Sequence, residues 1–297
     1  MRKGWLVVNS FTNWDKFKEL YSMLCDAARL HSINLKVKPS YTLLCDITRG
    51  SFIIEQGEKP DFIIFWDKDI ILAKALEQMG FRLFNSAEAI ELCDDKALTH
   101  LKLSKAGIRQ PKTVSAPKAY PSTKYNDLSF VRLAAEELGF PLIIKERSGS
   151  FGFQVHLANN LSEAEEIVKS LEWKPLILQE MIKSSRGRDI RINVVDGKVE
   201  SAMLRYSTNG DFRSNLTLGG KAEKYDLNKE QKKAALDAVK ALGLDFAGVD
   251  MLFGESGEPI ICEVNSNAHF KTTLQYTGVN IAEKIIEMIV IRIYAHD

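Results

Sequence analysis

Three residues with oxygen ligands, Asp250, Glu263 and Asn265, stand at spacings that could bring them together on one hairpin. They belong to the segment FAGVDMLFGESGEPIICEVN, whose Gly- and Pro-containing middle predicts a turn centred on Ser256 and Gly257. Folding about that centre places Asp250 opposite Glu263, and the alternation of a strand puts Asn265 on their face. Two carboxylates that face each other across a ladder repel unless a cation lies between them.

These ligand types suit magnesium, which proteins usually hold with one or two carboxylates together with substrate phosphates. The alternative is a half-exposed hairpin whose acids are solvated, and the hairpin alone does not decide between the two. Its other face is predicted to be apolar and continuous, formed by Val249, Met251, Phe253, Ile260, Cys262 and Val264.

A second candidate site is the loop Ser148-Gly149-Ser150-Phe151-Gly152, which joins two predicted strands. Its glycines would let backbone N–H groups approach phosphate oxygens, and its serines would add hydroxyl donors. Lys145 would place a cation beside the loop, and Lys96 is another cation, near a predicted helix start. Most Gly/Ser loops are only turns, and a lysine at a helix start is usually solvated, so neither feature decides alone. The chain has no GxxxxGK[ST] or GxGxxG motif.

A third feature is a strand with one polar face, just before the predicted hairpin turn Asp196-Gly197. Asp189, Arg191 and Asn193 would share that face, and the alternating isoleucines and valine would share the other. The face is either solvated or part of a ribose and phosphate site. Further along, NGDFRSNLTLGG adds Arg213 and Asn215. Cations directed at a polyphosphate, with acids that hold its metal, would compose a phosphoryl-transfer site.

The elements that must position these side chains begin with alternating strands and helices, which predict a small, mostly parallel sheet. Lys38–Gly57 has no clear pattern. The predicted strands are Trp5–Asn9, Asp61–Trp66 and Phe81–Phe84, and the predicted helices are Asp15–His31 and Asp69–Met79.

The remainder of the chain is richer in hairpins. Asp94 is predicted to cap a helix that runs to Ala106 and is closed by Gly107, and Ser115–Asp127 reads as an exposed connection. The other predicted strands are Pro141–Glu146, Gln154–Leu157, Leu176–Gln179, Ile190–Val195 and Val199–Arg205, and the helices are Ser129–Leu138, Ser162–Leu171, Lys229–Leu242 and Asn280–Ile293. An α/β domain followed by an α+β nucleotide-binding region is therefore expected.

Composition excludes few classes of protein. The 297 residues are enough for two or three subdomains, and the net charge of +1 predicts neither a nucleic-acid nor a membrane partner. The absence of a long apolar run and of a signal-like start predicts a cytoplasmic protein. Without CxxC spacing, buried free thiols are expected for the four cysteines, Cys25, Cys45, Cys93 and Cys262. Four of the histidines, His31, His100, His156 and His296, form no cluster with ligand spacing and are expected to be structural or solvated.

Five separated motifs, in order, resemble those of the RimK-type amino-acid ligases of the ATP-grasp superfamily. The resemblance covers roughly residues 85–290, and the matching runs are DDKALTHLKLSKAGIRQPKT, FPLIIKERSGSFGFQV, LILQEMIKSSRGRDIRINVVDGKVESAMLR, GDFRSNLTLGG and AGVDMLFGESGEPIICEVNSN, followed by TGVNIAEKII. It implies an α/β amino-terminal domain, residues 1–95, followed by an α+β ATP-grasp fold. The latter would comprise a central subdomain with the glycine-rich loop, residues 96–180, and a carboxy-terminal subdomain with the magnesium site, residues 181–297.

The resemblance also implies which residues bind ATP. The lysines and the loop would contact phosphates, Gln179–Ile182 would be the hinge that touches adenine, and Asp189 would lie near the ribose. The residues assigned to nucleotide binding are Lys96, Lys145, Gly149, Ser150, Gly152, Gln179, Glu180, Met181, Ile182, Asp189, Arg213, Ser214 and Asn215.

Catalytic and metal-binding roles follow by the same analogy. Arg205, Arg213 and Asn215 are the catalytic candidates, which would act on the triphosphate. One or two magnesium ions, for which manganese could substitute, would be held by Asp250, Glu263 and Asn265.

The implied reaction is an ATP-dependent ligation of a carboxylate to an amine through an acyl phosphate. The amine is expected to be L-glutamate, and the acceptor a protein C-terminus, a peptide or a coenzyme. The alternatives are a ligase that uses another amine, including one that builds dipeptides or modifies peptides, and a nucleotide-binding module without turnover. Self-association is also expected from the resemblance.

The chain departs from the family pattern at two places. Ala268-His269 stands where a Pro-Gly pair is usual, and Gln154 stands where a glycine is common. His269 is either a residue that reshapes the acceptor or amine pocket or a structural histidine.

Overall fold

The structure is a computed structural model that describes residues 1–12, 14–149 and 152–295. Within these residues the strands form three larger sheets and one small two-stranded sheet. The first large sheet is parallel and the other two are antiparallel, so the predicted α/β-then-α+β order is confirmed. The domain boundaries after residues 95 and 180 stay predictions.

The parallel sheet has the strand order β2-β1-β5-β6, and β3 pairs with β4. β2 was missed by the sequence analysis because it is an edge strand in which only Ile33 and Leu35 are buried. The elements of this part are β1 (Arg2–Val8), α1 (Asp15–Leu30), β2 (Ile33–Pro39), β3 (Cys45–Asp46), β4 (Ser51–Phe52), β5 (Phe62–Trp66), α2 (Ile70–Gln78), β6 (Leu83–Phe84) and α3 (Ala87–Asp94).

The second large sheet has the order β7-β10-β8-β9, and α5 and α6 pack on it around a core that includes Leu142, Ile144 and Leu178. The five elements predicted for this sheet and for the two helices packed on it begin and end within one residue of the observed elements. The elements are α4 (Lys96–Lys105), β7 (Thr113–Ser115), α5 (Ser129–Leu138), β8 (Leu142–Glu146), β9 (Val155–Ala158), α6 (Leu161–Ser170) and β10 (Leu176–Glu180).

The third large sheet has the order β13-β12-β11-β14-β15, with α7 packed on its apolar face. The predicted turn Asp196-Gly197 is confirmed, since both residues have the positive φ angles, +51° and +67°, that a tight two-residue hairpin requires. The elements are β11 (Arg188–Val195), β12 (Lys198–Tyr206), β13 (Lys221–Lys224), α7 (Lys229–Ala241), β14 (Phe246–Phe253), β15 (Pro259–Asn265), α8 (Lys271–Thr277) and α9 (Ile281–Tyr294).

The first and third sheets share one hydrophobic core, which fixes their relative positions. Helices α1 and α9 pack together over it, and the Trp66 ring of β5 stacks on Phe246 of β14 with centroids 5.6 Å apart. The carboxyl end of the parallel sheet is thereby held beside the Asp250 hairpin. Among the described residues, none of the helices combines the length and apolar character needed to cross a membrane.

The predicted helix start at Asp94 is wrong by one residue. Asp94 ends α3, and Asp95 caps α4 by accepting hydrogen bonds from the N–H groups of Ala97 (2.9 Å) and Leu98 (3.3 Å). The Asp95 carboxylate also forms an ion pair with Arg147, on the segment that follows β8. Asp95 can hold the end of β8 beside Lys96 because its carboxylate has oxygens for both tasks.

The placement of Ile260 and Cys262 on the apolar face of the hairpin is also wrong. A β-bulge between Asp250 and Met251 pairs Met251 with Ile261, so Cys262 becomes the extra residue. Ile261 is fully buried in the core, whereas the Cys262 sulfur lies 3.7 Å from Lys145 Nζ on the opposite side. All four cysteines are free, as expected, but only Cys93 is buried, and the other three are partly exposed.

Candidate functional site

A cleft of about 550 Å³ lies where the three larger sheets meet. Ser150 lies outside the described residues. Every other residue that the sequence analysis assigned to binding or catalysis lines this cleft: Lys96, Lys145, Gly149, Gly152, Gln179, Glu180, Met181, Ile182, Asp189, Arg205, Arg213, Ser214, Asn215, Asp250, Glu263 and Asn265. Their proximity is observed, and their individual roles stay predictions.

The acidic residues of the hairpin have the predicted pairing, although the strands next to the turn are shifted by one residue from the predicted register. Asp250 of β14 pairs directly with Glu263 of β15, and Asn265 stands opposite Gly248 on the same face. The Glu263 side chain is 31% exposed, and its carboxylate lies 3.7 Å from Lys96 Nζ. Asn265 Nδ2 is buried and has no hydrogen-bond partner among the described residues. A buried amide with an unused polar atom needs a further partner at this point of the cleft.

The chemistry of this donor set fits a magnesium ion. Two carboxylates and an amide carbonyl oxygen are the ligand types that magnesium takes, and the unpartnered Asn265 Nδ2, which is an N–H donor, would be free to donate to a phosphate oxygen beside the ion. Among the described residues no three His, Cys, Asp or Glu side chains cluster as metal ligands, so Asn265 and substrate oxygens would have to complete the shell. Asp250, Glu263 and Asn265 are therefore the residues that would hold the ion.

Two arginines and two aspartates form a chain of ion pairs beside the hairpin. Arg191 binds both oxygens of Asp250, with Nη2 2.9 Å from Oδ2, and Arg205 Nη2 lies 3.0 Å from Asp250 Oδ1. Arg205 also binds both oxygens of Asp189, at 2.7 and 2.6 Å. The side chains of Arg205 and Asp250 are 7% and 9% exposed. Burial raises the pKa of Asp250, but the two guanidinium groups outweigh burial and hold this pKa below its usual value.

Lys145 is held in the cleft by a chain of buried hydrogen bonds. Its ammonium donates to Gln179 Oε1 at 2.7 Å, which fixes the amide so that Gln179 Nε2 donates to Thr113 Oγ1 and to His100 Nε2. Because His100 Nε2 must accept, its proton is on Nδ1, which donates to Gln110 Oε1 at 2.6 Å. This chain requires a neutral His100, and burial lowers the pKa of His100 to about 4. The structural role expected for His100 is confirmed.

We predict that His100 makes the protein acid-labile. Its folded-state pKa of about 4 lies below an unfolded value of about 6.5, so the unfolded chain binds the proton more tightly. Keeping His100 neutral therefore does not lower the free energy of unfolding above pH 6.5, where His100 is neutral in both states. The free energy of unfolding decreases as pH falls from 6.5 towards 4, because the unfolded chain takes up the proton first. The loss amounts to about 2 kcal/mol at pH 5. Urea unfolding at pH 8 and pH 5 should show that His100→Gln, which cannot titrate, loses less stability between these pH values by about this amount. Equal losses in both proteins would contradict the prediction.

The glycine-rich loop is tied to both neighbouring parts of the fold. Lys96 Nζ donates to Gly149 O at 3.3 Å, and Arg213 Nη1 donates to Gly152 O at 2.8 Å. Gly152 has φ +77°, and a Cβ there would lie 2.9 Å from Asn215 Oδ1. Only glycine tolerates both this backbone conformation and this close approach. The loop thus reaches across the cleft to the segment that carries Arg213 and Asn215.

Some of the residues that line the cleft were not predicted from the sequence. Arg191 was placed on the polar face of β11 but was not assigned to the site, although its alternation with Asp189 was a usable signal. Lys16, Lys68 and Lys271 also line the cleft, and they come from α1, the end of β5 and α8. No local pattern marks them, because only the packing of the first sheet against the third brings them there.

His269 lies at the same end of the cleft and contacts α1. Its Nε2 is 3.1 Å from Lys16 O and donates to that carbonyl. Burial lowers the pKa of His269, and the nearby cations of Lys16, Arg191 and Lys271 lower it further. His269 therefore has a structural contact and also lines the cleft, so the two interpretations of this residue are not exclusive.

Sequence comparison shows which known proteins this chain is similar to. The profile of the RimK-like ATP-grasp domain matches residues 93–289. A probable alpha-L-glutamate ligase of Shewanella is 39% identical over 221 residues, which cover 73% of this chain and 70% of that protein. An uncharacterised Mycoplasma pneumoniae protein, the MG012 homolog, is 32% identical over 283 residues, which cover 94% and 96% of the two chains. Human N-acetylaspartylglutamate synthase A is 36% identical over 205 residues, 69% of this chain and 51% of that protein.

Solved structures agree on the fold. A RimK-domain ATP-grasp protein of Sphaerobacter thermophilus superposes with a TM-score of 0.74 at 18% identity, covering 97% of this chain and 99% of that chain. D-alanine–D-alanine ligase of Bacillus anthracis, solved with ATP, superposes with a TM-score of 0.75 at 20% identity, covering 100% and 98%. The ATP-grasp fold predicted from the motifs is confirmed.

Proposed function

The chain belongs to the RimK-like ATP-grasp family, and we propose that it joins the amino group of L-glutamate to the carboxylate of an acceptor. It is an ATP-grasp ligase, an enzyme that forms a carbon–nitrogen bond and produces ADP. The observation that carries the proposal is that one cleft collects the facing pair Asp250 and Glu263 with the cations Lys96, Lys145 and Arg213.

The reaction proceeds in two steps, phosphoryl transfer to the acceptor carboxylate and then formation of the amide. An oxygen of the acceptor carboxylate attacks the γ-phosphorus of ATP, and ADP leaves with the electrons of the broken phosphoanhydride bond. The amino group of glutamate then attacks the acyl carbon, loses a proton, and displaces inorganic phosphate to leave an amide. Negative charge develops on phosphoryl oxygens in the first step and on the acyl oxygen in the second.

The residues of the cleft can stabilise that charge. Lys145 is held by Gln179 with its ammonium in the cleft, and Lys96 and Arg213 contact the two ends of the glycine-rich loop. These cations would bind and orient the triphosphate, and Met181 and Ile182 would offer apolar contact to the adenine. A magnesium ion held by Asp250, Glu263 and Asn265 would supply further neutralisation of phosphate charge.

The acceptor end of the cleft is cationic. Lys16, Lys68 and Lys271 line it. Lys271 pairs with Glu19 at 2.5 Å and Lys68 pairs with Asp94 at 2.7 Å, so these lysines exceed their two acidic partners by one positive charge. An anionic acceptor matches this charge. Similarity to an N-acetylaspartylglutamate synthase and a beta-citrylglutamate synthase, whose names denote glutamate joined to small acids, supports both the amine and an acidic acceptor.

We expect magnesium-dependent ADP release when glutamate and a suitable acid are present together. The assay would combine ATP with each amino acid and a panel of acids, including citrate, N-acetylaspartate and peptides with an acidic C-terminus. Hydroxylamine would serve as a surrogate amine that traps the acyl phosphate, and mass spectrometry would identify products. A mass gain of one glutamyl unit is the expected result. A product formed with a different amino acid would keep the ligase and overturn the glutamate assignment.

A further inference from the structure

We propose that Arg191 is the cationic partner of Asp250 in the nucleotide-free protein and is displaced from it when a divalent cation and nucleotide phosphates bind together. Asp250 then binds the divalent cation, and Arg191 binds the phosphates. The inference deepens the proposed function, since it takes Asp250 as a metal ligand. It predicts that the divalent cation binds weakly by itself and tightly only with the nucleotide. Arg191 would thereby couple the two binding events.

The geometry shows that Asp250 is fully engaged. Arg191 contacts one carboxylate oxygen through Nε and the other through Nη2, and Arg205 adds a second contact to Oδ1. The side chains of Arg191 and Asp250 are only 12% and 9% exposed, so water screens this pair little. A cation that takes Asp250 as a ligand must therefore displace at least part of a bidentate guanidinium contact.

The sheet register builds this contact into the fold. Arg191 and Asp250 are direct partners across β11 and β14, and Asp189 and Arg205 are direct partners across β11 and β12. Each pair therefore forms without any loop having to move. The backbone also provides room, because a Cβ at Gly248 would lie 3.3 Å from Arg191 Cδ and would collide with the Ala268 methyl group.

The charge balance explains why the exchange needs both ligands. Arg191, Arg205, Asp189 and Asp250 together carry no net charge, so a divalent cation alone would enter beside two guanidinium groups that repel it. Leaving a buried guanidinium without a partner is costly. Nucleotide phosphates would offer the displaced Arg191 a new bidentate partner inside the same cleft. The arginine would then hold phosphate charge while Asp250 holds the metal.

Binding of Mn²⁺ to the nucleotide-free protein tests the proposal directly, by electron paramagnetic resonance or calorimetry. We expect Arg191→Ala to bind Mn²⁺ at least about tenfold more tightly than the wild type, because one competing charge at contact distance is removed. With a non-hydrolysable ATP analogue present, the two proteins should differ much less. Arg191→Gln serves as a second variant if the alanine variant does not fold.

A matched control separates competition for Asp250 from a general change in charge. Arg188 lies on the same strand and lines the same cleft, but its guanidinium donates to Ser184 O at 3.1 Å and stacks on Phe253. Arg188→Ala should shift Mn²⁺ affinity by less than about threefold, since the charge removed lies farther from the site. Asp250→Asn should bind Mn²⁺ weakly, and adding Arg191→Ala to it should not restore Mn²⁺ affinity. The carboxylate for which Arg191 and Mn²⁺ compete is absent from both of these variants.

Each outcome decides between the linked proposals. Unchanged or weaker Mn²⁺ binding by both Arg191→Ala and Arg191→Gln would overturn the exchange and leave Arg191 a structural partner of Asp250. Equal tightening by the Arg188 variant would also overturn it in favour of general electrostatics. If Asp250→Asn binds Mn²⁺ as tightly as the wild type with the nucleotide analogue present, the metal assignment itself fails. Mn²⁺-dependent turnover by the wild type would still establish the ligase in either case.

Discussion

Replacing Glu263 with alanine is expected to lower the rate of ADP formation by at least about 10²- to 10³-fold, the range found when one group that stabilises transition-state charge is removed. Glu263 faces Asp250 across β14 and β15 and is the more exposed of the two carboxylates, at 31%. Its carboxylate is the one that can take a metal without breaking an arginine fork. The fold should survive, because the core of the hairpin lies on the other face, around Val249 and Ile261.

The experiment is a coupled ADP assay under the conditions found for the wild type, with thermal unfolding as the check on the fold. Glu255→Ala is the matched control, since Glu255 is an exposed glutamate in the turn of the same hairpin and should leave the rate unchanged. Mn²⁺ binding with nucleotide should weaken in the Glu263 variant and persist in the control. Turnover of the Glu263 variant close to that of the wild type would contradict the metal assignment.

The sequence predicted the parts of the site that local pattern controls. Alternation and one turn signal predicted the pairing of Asp250 with Glu263, but the turn is one residue shorter than predicted, and the pairing is kept because the bulge compensates for the difference. The same reasoning placed Cys262 wrongly, since a bulge inserts one residue and reverses the faces beyond it. Nothing in IICEV marks the bulge locally. The bulge allows Ile261 to pack in the core while Glu263 lies beside Asp250.

Contacts between distant segments lay beyond local pattern. The chain of hydrogen bonds from Lys145 through Gln179 to His100 joins β8, β10 and α4, and no residue spacing in the sequence predicts it. His269 touches α1 only because the first and third sheets share a core. The family motifs marked Lys145 and Gln179 as site residues, but the physical reason for their pairing, a buried ammonium that needs an acceptor, required the structure.

Replacing Arg205 with alanine is expected to destabilise the protein by about 3–5 kcal/mol, the usual result of removing one partner from a buried ion pair. The Arg205 side chain is 7% exposed and contacts both Asp189 and Asp250, so the change leaves two buried carboxylates with one fewer cation. Arg213→Ala is a matched control, because its fork on Asp211 is less buried, at 24% and 21% exposure, and should cost no more than about 1 kcal/mol. Equilibrium urea unfolding at pH 7.5 measures both.

The pH dependence identifies electrostatics as the cause of the Arg205 effect. Burial raises the pKa of Asp250, and Arg191 and Arg205 more than reverse that effect, so the ion pairing stabilises the fold above the unfolded pKa of about 3.9. This stabilisation is lost as pH falls through the lower folded pKa. In Arg205→Ala the pKa of Asp250 should rise, so protonation relieves the buried charge. The difference in the free energy of unfolding between the variant and the wild type should therefore decrease between pH 7.5 and about pH 4.

A double variant, Arg205→Met with Asp189→Leu, should recover part of the loss at pH 7.5, because apolar replacement removes the unpaired charge. A deficit that is constant with pH and is not recovered in the double variant would mean that Arg205 stabilises the sheet through packing alone.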